Sequence, residues 1–324
     1  MTAPKLNEKV IAVLGPTASG KTALSVELAK ALHTEIISGD SMLVYRGFDI
    51  GSAKPDMEER AGIPHALIDI LPPDAEFNVT DFQQAASKKI RSLNERGMIP
   101  VLAGGTGLYA KALLEGYDFN SSSGDEEYRA SLEKLAEEHG KEYVHAMLEK
   151  VDPKTAERLH VNDFRRVVRA LEVYHLGGET ISQKREEGRL LYDAFVIGLQ
   201  WDRAVLYDRI NRRVDMMLEG GLENEVRDLL ASGVPRSSQA MKGIGYKEMA
   251  AYIEGECTLD EAVYEIKKAT RHFAKRQLTW YRRMPYIHWL HADGKTTEGL
   301  LKEILPKIEE FAASKANNNY RENL

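Results

Sequence analysis

The chain has 324 residues, 43% hydrophobic and 29% charged, the balance of a soluble globular protein with a full-sized core and room for two average domains or one with an insertion. Its single cysteine, Cys257, excludes an intramolecular disulfide framework and fits a reducing compartment. Fifty acidic against 44 basic residues give a net charge of −6, which speaks against a nucleic-acid partner unless the basic residues are gathered on one surface. No run reaches the length of a membrane-spanning helix and "NEKVIAVLG" is too short for a signal-peptide core, so a cytoplasmic protein without a membrane partner is expected.

Short β-branched runs alternate with helical patterns over the first hundred residues. "KVIAVL" (9–14), "TEIIS" (34–38), "HALIDI" (65–70) and "IPVLAG" (99–104) read as buried strands of a parallel sheet, separated by helical segments 21–32 and 80–96. A Ser/Gly-rich connector, "YDFNSSSGDEE" (117–127), then opens a stretch that reads as helix to about 177. Strand signals return at "DAFVIGLQW" (193–201) and "YIHWL" (286–290), and the C-terminal "ASKANNNYREN" reads as a frayed tail. The predicted fold class is α/β: a core of residues 1–119 and 191–324 with a mostly parallel sheet, interrupted by an all-helical insertion at 120–190.

Gly15-Pro16-Thr17-Ala18-Ser19-Gly20-Lys21-Thr22 satisfies G-x-x-x-x-G-K-[ST] between a predicted strand and a predicted helix, the context that the motif requires. The glycines let backbone wrap an anion, the helix N-terminus adds partial positive charge, and Lys21 adds a full one. Thr22 is placed to touch a Mg²⁺ ion on the same oxygens. Such a loop specifies a diphosphate or triphosphate and says nothing of a base.

Asp40 falls just past the second strand, at the sheet edge where α/β folds place ligands. A carboxylate there can hold Mg²⁺, accept a proton from a nucleophile, or merely cap a turn. Gly104-Gly105-Thr106-Gly107 forms a second glycine turn after a later strand, with Thr106 offering a hydroxyl. Asp69, in "HALIDI", is a poor match to the acidic residue of a nucleotide hydrolase's Walker B strand and reads as structural.

Three later helices carry basic residues. In 202–221, Leu206, Ile210, Val214 and Met217 make the apolar stripe, while Arg209 and Arg213 lie four apart beside it. In "NDFRRVVRALEVY" (162–174), Phe164, Val167, Val168 and Leu171 form the buried face, and Arg169 can pair with Glu172 three residues on. Thr258 and Glu261 make a capping box that starts a helix running to about 283. Its apolar side gathers Leu259, Ala262, Val263, Ile266, Phe273 and Trp280; Lys268, Arg271, Lys275 and Arg282 lie opposite. Such basic stripes are often only solvated faces, and the stripe on 265–283 is the strongest sign of a nucleic-acid surface against the acidic total. Gln277 falls on the apolar side, where a buried amide needs a partner.

Together, "GPTASGKT", "SGDSMLVYRGFDIGSAKP", "PHALIDI", "GGTGLY", "VDPKTAERLHVNDFRRVVRALEV", "GIGYKE" and "KRQLTWYRR" resemble the tRNA dimethylallyltransferases, or tRNA isopentenyltransferases, across nearly the whole chain. The resemblance implies a P-loop kinase-like core and transfer of a dimethylallyl group from dimethylallyl diphosphate to the exocyclic amine of an adenine. That adenine lies 3′ of the anticodon in tRNAs reading U-initial codons. It further implies Mg²⁺ as cofactor, Asp40 as general base, Thr106 beside the reacting carbon, and Arg213 with residues 15–22 on the diphosphate. For the tRNA anticodon stem-loop it implies contacts from Asp40, Ser41, Met42, Leu43, Thr106, Arg129, Arg165, Arg166, Val167, Val168 and Arg169. Lys242, Gly243, Ile244, Gly245, Tyr246, Lys247 and Gln277 complete that set. Leu43 and Arg165 stand where many relatives carry Gln. A monomer is expected. The rival readings are a P-loop kinase or nucleotide hydrolase using ATP, which leaves the basic stripes without purpose, and a noncatalytic tRNA-binding module.

Overall fold

The protein is described from a computed structural model over residues 8–116, 125–177 and 189–314. Compactness divides the chain into two units, Met1–Gly116 with Leu190–Leu324, and Tyr117–Arg189. Most of the expected connector and nearly all of the C-terminal tail lie outside the described residues.

The first unit is built on six strands: β1 (Lys9–Leu14), β2 (Ile36–Ser38), β3 (His65–Ala66), β4 (Val101–Gly104), β5 (Asp193–Gln200) and β6 (Ile287–His291). They form one sheet in the order β3-β2-β4-β1-β5-β6, parallel throughout. Its helices are α1 (Lys21–Ala31), α2 (Met57–Arg60), α3 (Val79–Glu95) and α4 (Gly107–Glu115); the insertion then contributes α5 (Glu126–His139), α6 (Lys141–Val151), α7 (Pro153–Arg158) and α8 (Phe164–Gly177). The first unit resumes with α9 (Arg203–Glu219), α10 (Leu222–Ala231), α11 (Tyr246–Ile253), α12 (Leu259–Tyr281) and α13 (Thr297–Ala313).

Both faces of the sheet are covered, which is why β1 reads as an unbroken apolar run. Val10, Ala12 and Leu14 point to one side, where Phe82, Ile90 and Leu113 join them. Ile11 and Val13 point to the other, against Leu24 and Leu28 of α1 and Ile304 and Ile308 of α13. The insertion has its own core of Leu132, Val144, Leu148, Val167 and Leu171. It therefore buries apolar surface without borrowing the sheet.

One expected strand is largely absent. Of "HALIDI", only His65–Ala66 pairs with β2, because Leu67 (φ 64°) and Asp69 (φ 55°) turn into the left-handed region and break the extended run. Asp69 then meets Lys54 at 2.5 Å and faces Arg60, a structural ion-pair position at the sheet margin. The capping box of α12 is present: Thr258 Oγ1 accepts from Glu261 N, and Glu261 Oε2 from Thr258 N at 2.8 Å. Its buried stripe is Ala262, Ile266, Ala274, Gln277 and Tyr281, whereas Leu259 lies exposed in the first turn.

Candidate active site

The sheet order brings the three glycine-bearing turns together. β2, β4 and β1 are neighbours, with Ser38 paired to Ala103 and Leu14 to Gly104, so the segments beginning at Gly15, Gly39 and Gly105 leave the same edge at the same level. Glycine is required for so close an approach: a Cβ on Gly104 would lie 2.7 Å from Gly39 O. Parallel strands with helices crossing behind them put that edge at their C-terminal ends, the place of ligand binding in this architecture.

A cavity of about 350 Å³ opens there, lined by Thr17, Lys21 and Thr22 from the phosphate loop, Asp40 to Leu43 after β2, Gly51 to Ala53, Arg213 of α9, Lys242 to Gly245, and Phe273, Arg276 and Gln277 of α12. A second, of about 380 Å³, shares Lys21, Thr22 and Arg213 and adds Ala18, Ser19, Gly20, Glu59, Arg209 and Arg212. The phosphate loop thus forms a wall common to both.

The loop is braced from outside. Ala18, at φ 61°, has its carbonyl held by Arg209 Nε at 2.9 Å, and Ser19 O accepts from Trp201 Nε1 at 2.9 Å. The Arg209 guanidinium lies 4.3 Å from the Trp201 ring centre. So Arg209 is no solvated helix residue. Arg213, the neighbouring arginine, is half-buried, and desolvation pulls its guanidinium below the ordinary value.

Burial also lowers the Lys21 amine to about 8; repulsion from Arg213 adds to the shift and Asp40 opposes it. Lys21, Arg213 and Arg209 face the carboxylates of Asp40 and Glu59, which leaves the site short of negative charge. An anion entering it relieves both the desolvation and the repulsion.

Asp40 and Thr106 meet across the β2–β4 seam. Asp40 Oδ1 accepts from Met42 N at 2.9 Å, an Asx turn, and Thr106 Oγ1 accepts from Ser41 N at 3.3 Å. A Cβ on Gly105 would lie 3.5 Å from both Asp40 Oδ2 and Lys21 Cε, which places the free carboxylate oxygen and the lysine around one glycine. Among the described residues, no group of three or more His, Cys, Asp or Glu side chains is arranged to hold a metal ion.

Four of the residues expected at the RNA have buried side chains. Tyr246 is fully buried, its hydroxyl donating to Glu225 Oε1 at 2.7 Å and accepting from Ser52 N at 3.0 Å; it anchors backbone and has no surface to offer RNA. Val167 and Val168, 0% and 6% exposed, belong to the insertion's core, leaving Arg165 and Arg166 as the exposed members of that run. Gln277, 3% exposed, spends both ends of its amide inside the protein: Oε1 accepts from Thr17 N at 2.9 Å and Nε2 donates to Gly105 O at 2.6 Å.

Arg129 and Arg169 share Glu172. That carboxylate is fully buried and accepts from Arg129 Nε at 2.6 Å, from Asp125 N at 2.8 Å and from Arg169 Nη1. Burial alone raises its pKa, but hydrogen bonds from Arg129 and Arg169 outweigh it and hold the group below its ordinary value. On α12, Lys268 pairs with Glu265 and Arg271 donates to Asn211 Oδ1 at 2.7 Å, while Lys275, Arg276, Arg282 and Arg283 are exposed.

Sequence reasoning missed two further groups. Glu225 accepts from Asp49 N, Ile50 N and Gly51 N at 3.0, 2.7 and 3.1 Å, pinning the loop that lines the cavity. Nothing in the sequence marks it apart from other acidic residues of an amphipathic helix. Tyr281 donates to Gly105 O at 2.8 Å, and burial raises its pKa so that it stays protonated. The signal for it was the polar pair Gln277 and Tyr281, four apart on one buried face.

A parallel sheet carrying a glycine loop, a half-buried lysine and arginine, and a carboxylate at one edge defines an α/β protein with a cationic cleft at the C-terminal ends of its strands. The IPP transferase family model matches residues 43–284, and the chain belongs to that family. It is 48% identical to a tRNA dimethylallyltransferase of Bacillus cytotoxicus, over 97% of this chain and 99% of the relative, and 49% identical to one of Bacillus anthracis, over 96% and 99%. Among solved structures, the full-length tRNA isopentenylpyrophosphate transferase of Bacillus halodurans matches with a TM-score of 0.71 and 45% identity, covering 94% of this chain and 98% of that one. A eukaryotic dimethylallyltransferase acting on tRNA matches with a TM-score of 0.79 and 27% identity, over 94% and 80%. Among the described residues, no helix is long and apolar enough to cross a membrane.

Proposed function

We propose that this chain is a tRNA dimethylallyltransferase: it transfers a dimethylallyl group from dimethylallyl diphosphate to the exocyclic amine of the adenine 3′ of the anticodon in tRNAs reading U-initial codons. The observation that carries the reading is that Asp40 and Lys21 approach one glycine, Gly105, and line one cavity of about 350 Å³, with Thr106 Oγ1 holding the Ser41 amide next to Asp40. An anion cradle and a base are then within one ligand's length.

The adenine nitrogen attacks the allylic carbon as the carbon–oxygen bond to diphosphate breaks, and the amine proton passes to Asp40. A carboxylate of ordinary pKa ~3.9 cannot deprotonate a neutral amine beforehand, but accepts the proton as the C–N bond forms and the amine turns acidic. Negative charge grows on the leaving oxygens, so Lys21, Arg213 and the loop amides act most strongly in the transition state. Thr106 Oγ1, fixed by Ser41 N, keeps its hydroxyl hydrogen for an acceptor on the substrate.

The residues fit a Mg²⁺ ion carried in by the diphosphate: the Thr22 hydroxyl, which lines the cavity beside Lys21, would hold it. When bound it neutralises the departing diphosphate. The stacked adenine must flip out to enter, at a few kcal/mol. Ser41, Met42, Leu43 and Lys242 to Gly245 line the cavity it would enter. Arg129, Arg165, Arg166 and Arg169 of the insertion, with Lys247, are offered to the anticodon stem.

The test is to incubate the protein with unmodified tRNA, Mg²⁺ and dimethylallyl diphosphate, then analyse the nucleosides by mass spectrometry, with ATP in a parallel reaction. Dimethylallyl adenosine is expected; ATP hydrolysis without the adduct refutes the reading. No observation favours the kinase alternative, since Asp69 is occupied by Lys54 and Arg60.

A further inference from the structure

We propose that Gln277 is a positioning residue for the leaving-group cradle and does not read the target base. The proposal rests on the transferase reading above. The residue sits on α12 with its side chain buried between the phosphate loop and the second glycine turn. Its carbonyl oxygen takes the Thr17 amide at 2.9 Å, and its NH₂ gives to Gly105 O at 2.6 Å. One turn on, Tyr281 donates to the same Gly105 carbonyl at 2.8 Å. Contact at Gly105 is so close that a Cβ there would fall 2.8 Å from Gln277 Nε2.

An amide makes this bridge from one side-chain terminus whatever the pH, because it accepts and donates at adjacent atoms. The two segments it ties leave the paired ends of β1 and β4, Leu14 beside Gly104, and Gln277 continues that link past the ladder: Thr17 opens the cradle around the diphosphate, while Gly105 precedes Thr106, whose hydroxyl holds the Ser41 amide beside Asp40. Gln277 therefore sets the distance between the departing oxygens and the base. The helix that carries the bridge exposes Lys275, Arg276, Arg282 and Arg283, so RNA seated on those cations would bear on the cradle through Gln277.

The experiment measures inorganic diphosphate with Mg²⁺ by calorimetry in the absence of RNA, and anticodon stem-loop binding in the absence of diphosphate, on the full chain. Gln277→Ala is expected to lose roughly tenfold in diphosphate affinity, the size of one buried hydrogen bond, with kcat lowered and stem-loop affinity within twofold of the parent. Unchanged diphosphate affinity with weakened stem-loop binding overturns the proposal and restores a base contact. Gln277→Glu guards against a folding defect: ionised, it cannot donate to Gly105 O, and protonated, it can. Its diphosphate affinity relative to the parent should recover as pH falls from 8 to about 5.5; a flat ratio refutes the bridge. A parent that binds no diphosphate overturns the transferase reading itself, a result distinct from either variant's.

Discussion

Removing one oxygen atom from Tyr246 tests how the cavity wall is held. The Tyr246 hydroxyl donates to Glu225 at 2.7 Å and accepts from Ser52 N at 3.0 Å, while Glu225 also holds the amides of Asp49, Ile50 and Gly51. In Tyr246→Phe the ring keeps its contact with Phe48, 4.6 Å between centres, so no cavity opens. Lost are a hydrogen bond to a charged acceptor, about 1.5–3 kcal/mol, and the partner of the Ser52 amide, about 1–3 kcal/mol. Ser52 is only half-buried and regains some hydration, so a loss of about 3 kcal/mol is expected. At a urea slope of about 3 kcal/mol/M, the upper end for small proteins, the midpoint of the first unit falls by about 1 M. Combining Tyr246→Phe with Glu225→Gln should give much less than the sum, since both act on one cluster. A midpoint within 0.2 M of the parent, or strict additivity, would refute the argument that this cluster carries the loop.

Asp40→Asn should keep diphosphate affinity and lose most turnover, checked by calorimetry beside single-turnover transfer; near-normal turnover removes Asp40 as the base. Because the Lys21 amine is depressed to about 8 in the folded protein, the unfolded chain binds more protons between pH 8 and 10.5, so ligand-free stability contributed by Lys21 rises with pH across that window. Diphosphate binding near pH 8.5 should accordingly take up a proton, seen as a binding enthalpy that changes with the buffer's ionisation heat. Glu172→Gln leaves Arg129 and Arg169 facing a neutral amide and should cost about 3 kcal/mol in the insertion, read by hydrogen exchange in α5 and α8. Since the folded Glu172 pKa is depressed, the parent should lose this same stability as pH falls through the carboxylate range. Arg165→Ala should reduce the salt slope of stem-loop affinity by about one, without changing which tRNA is modified.

The setting of the 15–22 loop was legible because it is written in consecutive residues: glycines, lysine and threonine stand together, and strand and helix flank them in the chain. The same holds for the capping box of α12 and the burial of β1, where period and composition suffice. Asp40 and the Gly104–Gly107 turn were legible as segments, each following a strand. "HALIDI" failed as a strand because Leu67 and Asp69 take left-handed backbone, a choice set by Lys54 and by the Leu43 carbonyl that receives the Asp69 amide.

By itself, then, the sequence determined an α/β chain with a glycine loop between strand and helix, a helical insertion and a set of basic helices, since those properties depend on neighbours in the chain. Only the tertiary structure decided which polar residues meet. Strand order β2-β4-β1 sets Asp40 beside Thr106, α10 supplies Glu225 to a loop about 175 residues away, and α12 turns Gln277 inward to two glycine-bearing turns. Such contacts are fixed by how packed layers stack. Nothing in the spacing of Gln277 from Thr17 carries that information, because it arises only when the sheet and its covering helices bury their apolar faces together.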